Sequence, residues 1–150
     1  MITFRPLQRT PEDYAWVKQF IQCVVTDDMR GIVAEKDGQV VAMYVFNNWT
    51  ENSVQCHQAV HDPFVFKHGL HKETAKYVYG EAGRKIMIGL TPSDNPEAIK
   101  LNKHYGFTEA YRMKDAVKDG VDYVVMTMHR DDCPYYEQEQ DRVPESRSAA

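Results

Sequence analysis

The sequence predicts an α/β domain, a mixed β-sheet with helices on its faces, in the order β-α-β-β-β-α-β-α-β-β. Three observations predict it. Short β-branched and aromatic runs alternate with longer stretches whose apolar residues recur at helical spacing. Asp37-Gly38 and Asp119-Gly120 each join two such runs, and Asp-Gly favours the tight turns that link antiparallel strands. A chain of 150 residues is normally one domain and buries roughly 68 to 70% of its unfolded surface, enough for a core without disulfide staples.

Ile2 to Pro6 is a short apolar strand. Thr10 then caps a helix that Pro11 opens, with Glu12 and Asp13 at its positive end and Val17, Ile21 and Val24 as its apolar stripe to about Val25. Gly31 to Glu35 and Gln39 to Phe46 form a hairpin, and a looser loop from Asn47 to Ser53 leads to a strand over Val54 to Val60. Asp62-Pro63 breaks that strand, and Gly69 to Ala82 reads as a helix with Leu70, Thr74, Tyr77 and Val78 on one side. Lys85 to Leu90 is an apolar run, with a buried strand over Ile86 to Leu90, and Ala110 to Val117 with Val121 to Met128 make the last hairpin.

The most informative stretch is Asn95 to Phe107, N-P-E-A-I-K-L-N-K-H-Y-G-F. Asn95 suits an N-cap, Pro96 the first helical position and Gly106 the left-handed residue after the end, so a helix is expected from Pro96 to Tyr105. Ala98, Leu101 and Tyr105 face a sheet, whereas Lys100 and Lys103 face water. Asn102 sits at the border of the buried face, where a polar side chain needs a partner.

Composition narrows the function. Cys23, Cys56 and Cys133 are odd in number and far apart, which argues against a disulfide framework and a cysteine-rich zinc site. The start of the chain lacks a targeting pattern and no run approaches the roughly 20 apolar residues of a membrane span, so a cytoplasmic protein is expected. Residues 131 to 150 hold six carboxylates against two arginines, so the tail carries the whole net charge of −4. A neutral body with an acidic tail gives no drive toward nucleic acid. The tail is expected to be disordered from about Pro134 and the domain to span residues 1 to 130.

The element order, V-A-E-K-D-G-Q-V-V-A in the first hairpin and N-x-x-A-x-x-L-x-x-x-x-G-F after a buried strand resemble the GNAT family of acyl-coenzyme A-dependent N-acyltransferases over residues 1 to 130. The short GNAT-like proteins of tailed bacteriophages are similar too. The resemblance implies that the fourth and fifth strands, Val54 to Val60 and Lys85 to Leu90, splay apart around the pantetheine arm of acetyl-coenzyme A. It implies an oxyanion site at the backbone of Ala59 and Val60, and an arm lined by Asn95 and Asn102. The pyrophosphate would lie on the helix N-terminus after Val65 to His71. A usual member reads Q/R-x-x-G-x-G/A there; this chain has Phe66, Gly69 and His71 at those positions, with Lys67, His68 and His71 able to supply side-chain charge, and Leu70 beside them.

Many members place a tyrosine at the position of Asn102 to protonate the leaving thiolate; asparagine has no such proton, although a thiol near pKa 8.5 leaves tolerably without help. The catalytic candidates are Asn102 and His57. An acceptor amine is almost wholly protonated at neutral pH, so a base is needed, and His57 titrates in the useful range. One strand register points His57 into the cleft; the other points Cys56 and Val54 there. His57 and His61 lie about 13 Å apart along a strand, too far to share an ion, and no metal is expected. The implied partner is an amine, with no nucleic acid or membrane; a homodimer is among the assemblies left open. The rival reading is a GNAT-shaped binding or virion-associated protein without catalysis.

Overall fold

The computed structural model describes residues 1–21 and 23–137. Its seven strands form one mixed sheet in the spatial order β1-β2-β3-β4-β5-β7-β6. The strands are β1 (Ile2–Pro6), β2 (Arg30–Lys36), β3 (Gln39–Asn47), β4 (Ser53–Val60), β5 (Ile86–Pro92), β6 (Thr108–Lys118) and β7 (Val121–His129). All neighbours are antiparallel except β4 and β5, which run parallel around a helical crossover. The strand assignments and both Asp-Gly turns agree with the sequence reading to within a few residues.

The helices are α1 (Pro11–Trp16), α2 (Phe64–Lys67), α3 (Leu70–Ala75) and α4 (Pro96–Tyr105). Two of them differ from expectation. α1 widens into a π-helical segment, Val17–Ile21, and the helix does not continue to Val25; Val24 is 78% exposed, so its place on the apolar stripe is not used. α3 likewise continues as a π-helical segment, Lys76–Glu81, and the stretch read as loop before it contains the single turn α2. α4 has the bounds that its caps dictate: the Asn95 side chain accepts from the Ala98 N–H, and Gly106 follows at φ 129°. A Cβ at Gly106 would stand 2.7 Å from Pro134 and 2.9 Å from the Met128 sulfur, so both conformation and space require glycine.

The helices cover opposite faces of the sheet. Val33, Met43 and Val45 pack under α1 and its π segment, where Val17 is fully buried. Tyr44, Phe46, Val54 and Cys56 pack on the other face with α3 and α4. Arg5 on β1 fixes the start of α1 by two 2.8 Å hydrogen bonds to the buried Asp13 carboxylate, which also accepts from the Gln8 N–H. The arginine holds the Asp13 carboxyl below its usual range.

The chain stays packed beyond the boundary expected at Pro134. Cys133 is buried, and Tyr135 and Tyr136 lie against the core, Tyr135 5.7 Å from the Tyr105 ring and Tyr136 5.4 Å from Tyr79. Two phenol rings bury enough apolar surface to hold a segment that its acidic neighbours would otherwise solvate. The rest of the acidic tail, from 138 to 150, lies outside the described residues.

A polar network is sealed between β3, α3 and α4. The Tyr44 hydroxyl lies 3.1 Å from His71 Nε2, the Tyr105 hydroxyl donates to the His71 carbonyl at 2.9 Å, and Thr74 Oγ1 bonds to the same phenol. The His71 ring stacks on Tyr105 at 3.9 Å. Burial, with a smaller push from His104, drives the imidazole pKa down to about 3, so it is neutral in the fold. In the unfolded chain His71 takes up a proton below about pH 6.5, which the folded chain refuses until about 3, so stability is full above 6.5 and lost on acidification. Urea melts at descending pH should show His71 adding a loss of up to about 1.4 kcal/mol per pH unit below 6.5, and the His71→Phe variant should have a correspondingly flatter profile.

Candidate active site

The parallel pair β4 and β5 stays in register only at Ser53–Ile86, Val54–Met87 and Gln55–Ile88. Beyond these residues β4 remains on β3 as far as Val60, while β5 remains on β7 as far as Pro92. A gap therefore opens. Continuing the register would set Gln58 opposite Thr91, and the Asn102 carboxamide stands between them. Gln58 Nε2 donates to Asn102 Oδ1 at 2.8 Å, and Asn102 Nδ2 donates to Thr91 Oγ1 at 3.2 Å with the Met126 sulfur at 3.7 Å. The adjoining cavity, about 140 Å³, is walled by Cys56, His57 and Gln58, by Gly89 to Pro92 and by Asn95, Ala98 and Asn102.

Backbone groups in a strand alternate between its two edges. The His61 N–H bonds to the Val41 carbonyl on β3, so the backbone of Ala59 also faces β3, whereas that of Val60, Gln58 and Cys56 faces the gap. The paired expectation of Ala59 and Val60 as oxyanion donors is therefore corrected: Val60 has an N–H on the gap side, and Ala59 uses its own in the β3 ladder.

His57 pairs across from Val45 and projects with it toward α1. Cys56 pairs across from Phe46 and projects into the α3–α4 core. The two registers left open by the sequence merge here, because the gap cuts through the sheet and both residues reach it. His57 Nε2 lies 2.9 Å from the Asn47 side-chain oxygen, so Nε2 carries the proton and Nδ1 keeps the lone pair. Burial lowers the His57 pKa, which leaves the ring neutral and basic at neutral pH. The Cys56 thiol is pushed far up by burial, which keeps it from acting as a thiolate nucleophile.

Within the crossover, Gly69 takes φ 94° ahead of α3, with nothing within 4 Å of where a Cβ would stand. Lys67 and His68 are exposed just before it; Lys67 Nζ lies 5.4 Å from the Phe64 ring, and His68 Nδ1 lies 3.0 Å from the Phe64 carbonyl. Leu70 turns its side chain into the core, leaving only its N–H for an anion. His71 does the same, which corrects its expected role as a source of charge: the ring is buried and neutral in the Tyr44–Tyr105 network. Because that side chain points inward, it does not fill the space at the helix start. Asn95 uses its oxygen as the helix cap and lines the cavity.

No protein-family model matches the sequence, and no curated protein matches it. Solved structures do match. A putative GNAT acetyltransferase from Desulfovibrio desulfuricans superposes with a TM-score of 0.71 at 14% identity, over 87% of this chain and 99% of that one. The fold is that of the GNAT acetyltransferases. Spermidine N-acetyltransferase from Vibrio cholerae, solved with CoA and spermine, gives a TM-score of 0.69 at 13% identity over 87% of this chain and 96% of that chain. A GNAT acetyltransferase from Elizabethkingia anophelis with acetyl-CoA bound gives 0.63 at 17% identity, over 85% and 97% of the two chains.

Gln58 and Thr91 stand in the candidate site and were missed by sequence reasoning. Neither belongs to a local motif. Their one signal is the parallel register, which sets them opposite each other only once Gln55 and Ile88 are known to pair. Tyr105, a turn beyond Asn102, is a core residue with no exposure. Replacing Asn102 by Leu should cost about 1 to 3 kcal/mol in urea melts, since it strips Thr91 and Gln58 of their partner, whereas Gln58→Ala, at a half-buried position, should cost about 0.5 to 1.5 kcal/mol.

Proposed function

We propose that this chain transfers an acetyl or other short acyl group from acyl-coenzyme A to a primary amine. The observation that carries this reading is the parting of β4 and β5 after Gln55 and Ile88, beside a cavity that has a neutral histidine on its wall. Acyl-coenzyme A, when bound, supplies an activated thioester carbonyl. The groups suited to holding it are the gap-side backbone of β4, the amides of Asn95 and Asn102, and the start of α3 with Lys67, His68 and the N–H groups of Leu70 and His71. The open space at Gly69 supports that fit.

In this reading the amine nitrogen bonds to the carbonyl carbon, the carbon–sulfur bond breaks, and the products are an amide and free coenzyme A. His57 Nδ1 takes the proton lost by the amine, with Asn47 holding the ring through Nε2. The Val60 N–H meets the charge that gathers on the carbonyl oxygen. Asn102 Nδ2 exchanges its long contact with the Met126 sulfur for one to the coenzyme A sulfur without giving up a proton, and the thiolate takes its proton from water.

A GNAT protein that binds the cofactor without turnover is the second reading, favoured by Asn102, whose carboxamide is already held by Gln58 and Thr91. The two readings separate by experiment. Saturating acetyl-coenzyme A should raise the Tm under both. Only the first predicts amide formation on an amine panel, with kcat rising through a pKa below 6.5 and falling about 10²- to 10⁴-fold in His57→Ala. Absence of any Tm shift would remove both.

A further inference from the structure

A second cavity, about 300 Å³, lies at the opposite end of the sheet from the β4–β5 gap, where those strands begin. Arg30 at the start of β2 and Arg84 just before β5 contribute its cationic groups. Trp49 and Tyr77 form aromatic walls, their rings 6.2 Å apart and edge-on, and both rest on the buried Phe46. The walls are therefore anchored in the core. The Trp49 indole N–H is fixed by a 2.9 Å bond to the Asp28 carbonyl, and the Arg84 guanidinium carbon lies 5.1 Å from the indole ring centre.

The two arginines form no ion pair among the described residues. Arg84 gives one nitrogen to the Ala82 carbonyl, and its Nε is buried without an acceptor among the described residues. Arg30 spends one nitrogen on the carbonyls of Met29 and Asp27, leaving the other N–H groups of its fork. Both arginines line the cavity together with Tyr77 and pull its hydroxyl pKa down against burial and Glu81, which raise it. Two carboxylates stand nearby. Asp28 is taken up by the Thr26 hydroxyl and the N–H groups of Trp49 and Asn48, and Glu81 acts on Tyr77 from the helix.

We propose that this cavity is a second binding site, taking a small organic oxyanion: a carboxylate or phosphate bound by Arg30 and Arg84, on a flat apolar body set against Trp49 and Tyr77. The guanidinium fork matches the two oxygens of such a group, and the terminal nitrogens that Arg84 does not spend on Ala82 and Arg30 does not spend on Met29 and Asp27 are left to meet them. The site is independent of the acyl-transfer reading, since it shares no lining residue with the β4–β5 cavity.

The Trp49 indole N–H cross-peak in a ¹H–¹⁵N spectrum of the full chain reports on the site, with the peak of the other tryptophan, Trp16, as internal control. Phenyl phosphate and benzoate should shift the Trp49 peak saturably and leave Trp16 in place. Inorganic phosphate should bind more weakly, and benzyl alcohol should give no saturable shift. Arg84→Gln and the exposed Arg30→Gln should each raise the Kd by about tenfold or more, with Arg30→Gln deciding if the other variant fails to fold. The proposal is overturned if neither anion shifts the peak, if benzyl alcohol matches them, or if Arg30→Gln binds as tightly as the unaltered chain.

Discussion

Everything at the candidate site follows from one constraint: β4 and β5 share only three residue pairs before each follows a different neighbour. β4 is tied to β3 and β5 to β7 over longer ladders, so the two cannot close on each other without breaking pairs elsewhere. A parted parallel pair exposes backbone donors and acceptors within a sheet that is otherwise satisfied, and buried polar groups require partners. The Asn102 carboxamide, delivered by α4, bridges the two strands through their side chains instead, accepting from Gln58 and donating to Thr91. The capping of α4 therefore shapes the candidate site. Asn95 and Gly106 set where the helix begins and ends, and hence which of its residues enters the gap.

The histidines show how position, rather than residue type, assigns chemistry. His71 and His57 are both desolvated, but His71 is enclosed by Tyr44, Tyr105 and Phe66 and serves as a neutral packing element. His57 stands on a cavity wall with one nitrogen held by Asn47, which leaves the other nitrogen with its lone pair. His61 is different again, its ring 4.4 Å from Phe20 and 5.0 Å from Trp16 on the α1 side. A cluster of four histidines between residues 57 and 71 thus disperses to separate environments once the strand and the crossover are folded.

Much of the architecture was legible locally. Asp-Gly turns, caps and apolar periodicity act over a few residues, so the strands and the whole of α4 could be read from their own segments. α1 was read too long because helical spacing persists to Val24, whereas the widened π turn and the exposure of Val24 depend on what lies across the sheet. Acidic neighbours favour a solvated tail for Tyr135 and Tyr136, with packing back as the alternative; the core surface that holds them is built from residues far away in the chain.

The sequence by itself determined the order of elements, the place of the crossover and the bounds of α4, because turn chemistry, capping and side-chain period are local properties. Tertiary structure alone decided which backbone edge of β4 faces the gap, that His71 turns inward, and that Gln58 and Thr91 meet through Asn102. Those outcomes depend on the register between strands separated by a whole crossover, and a shift of one residue would exchange every face.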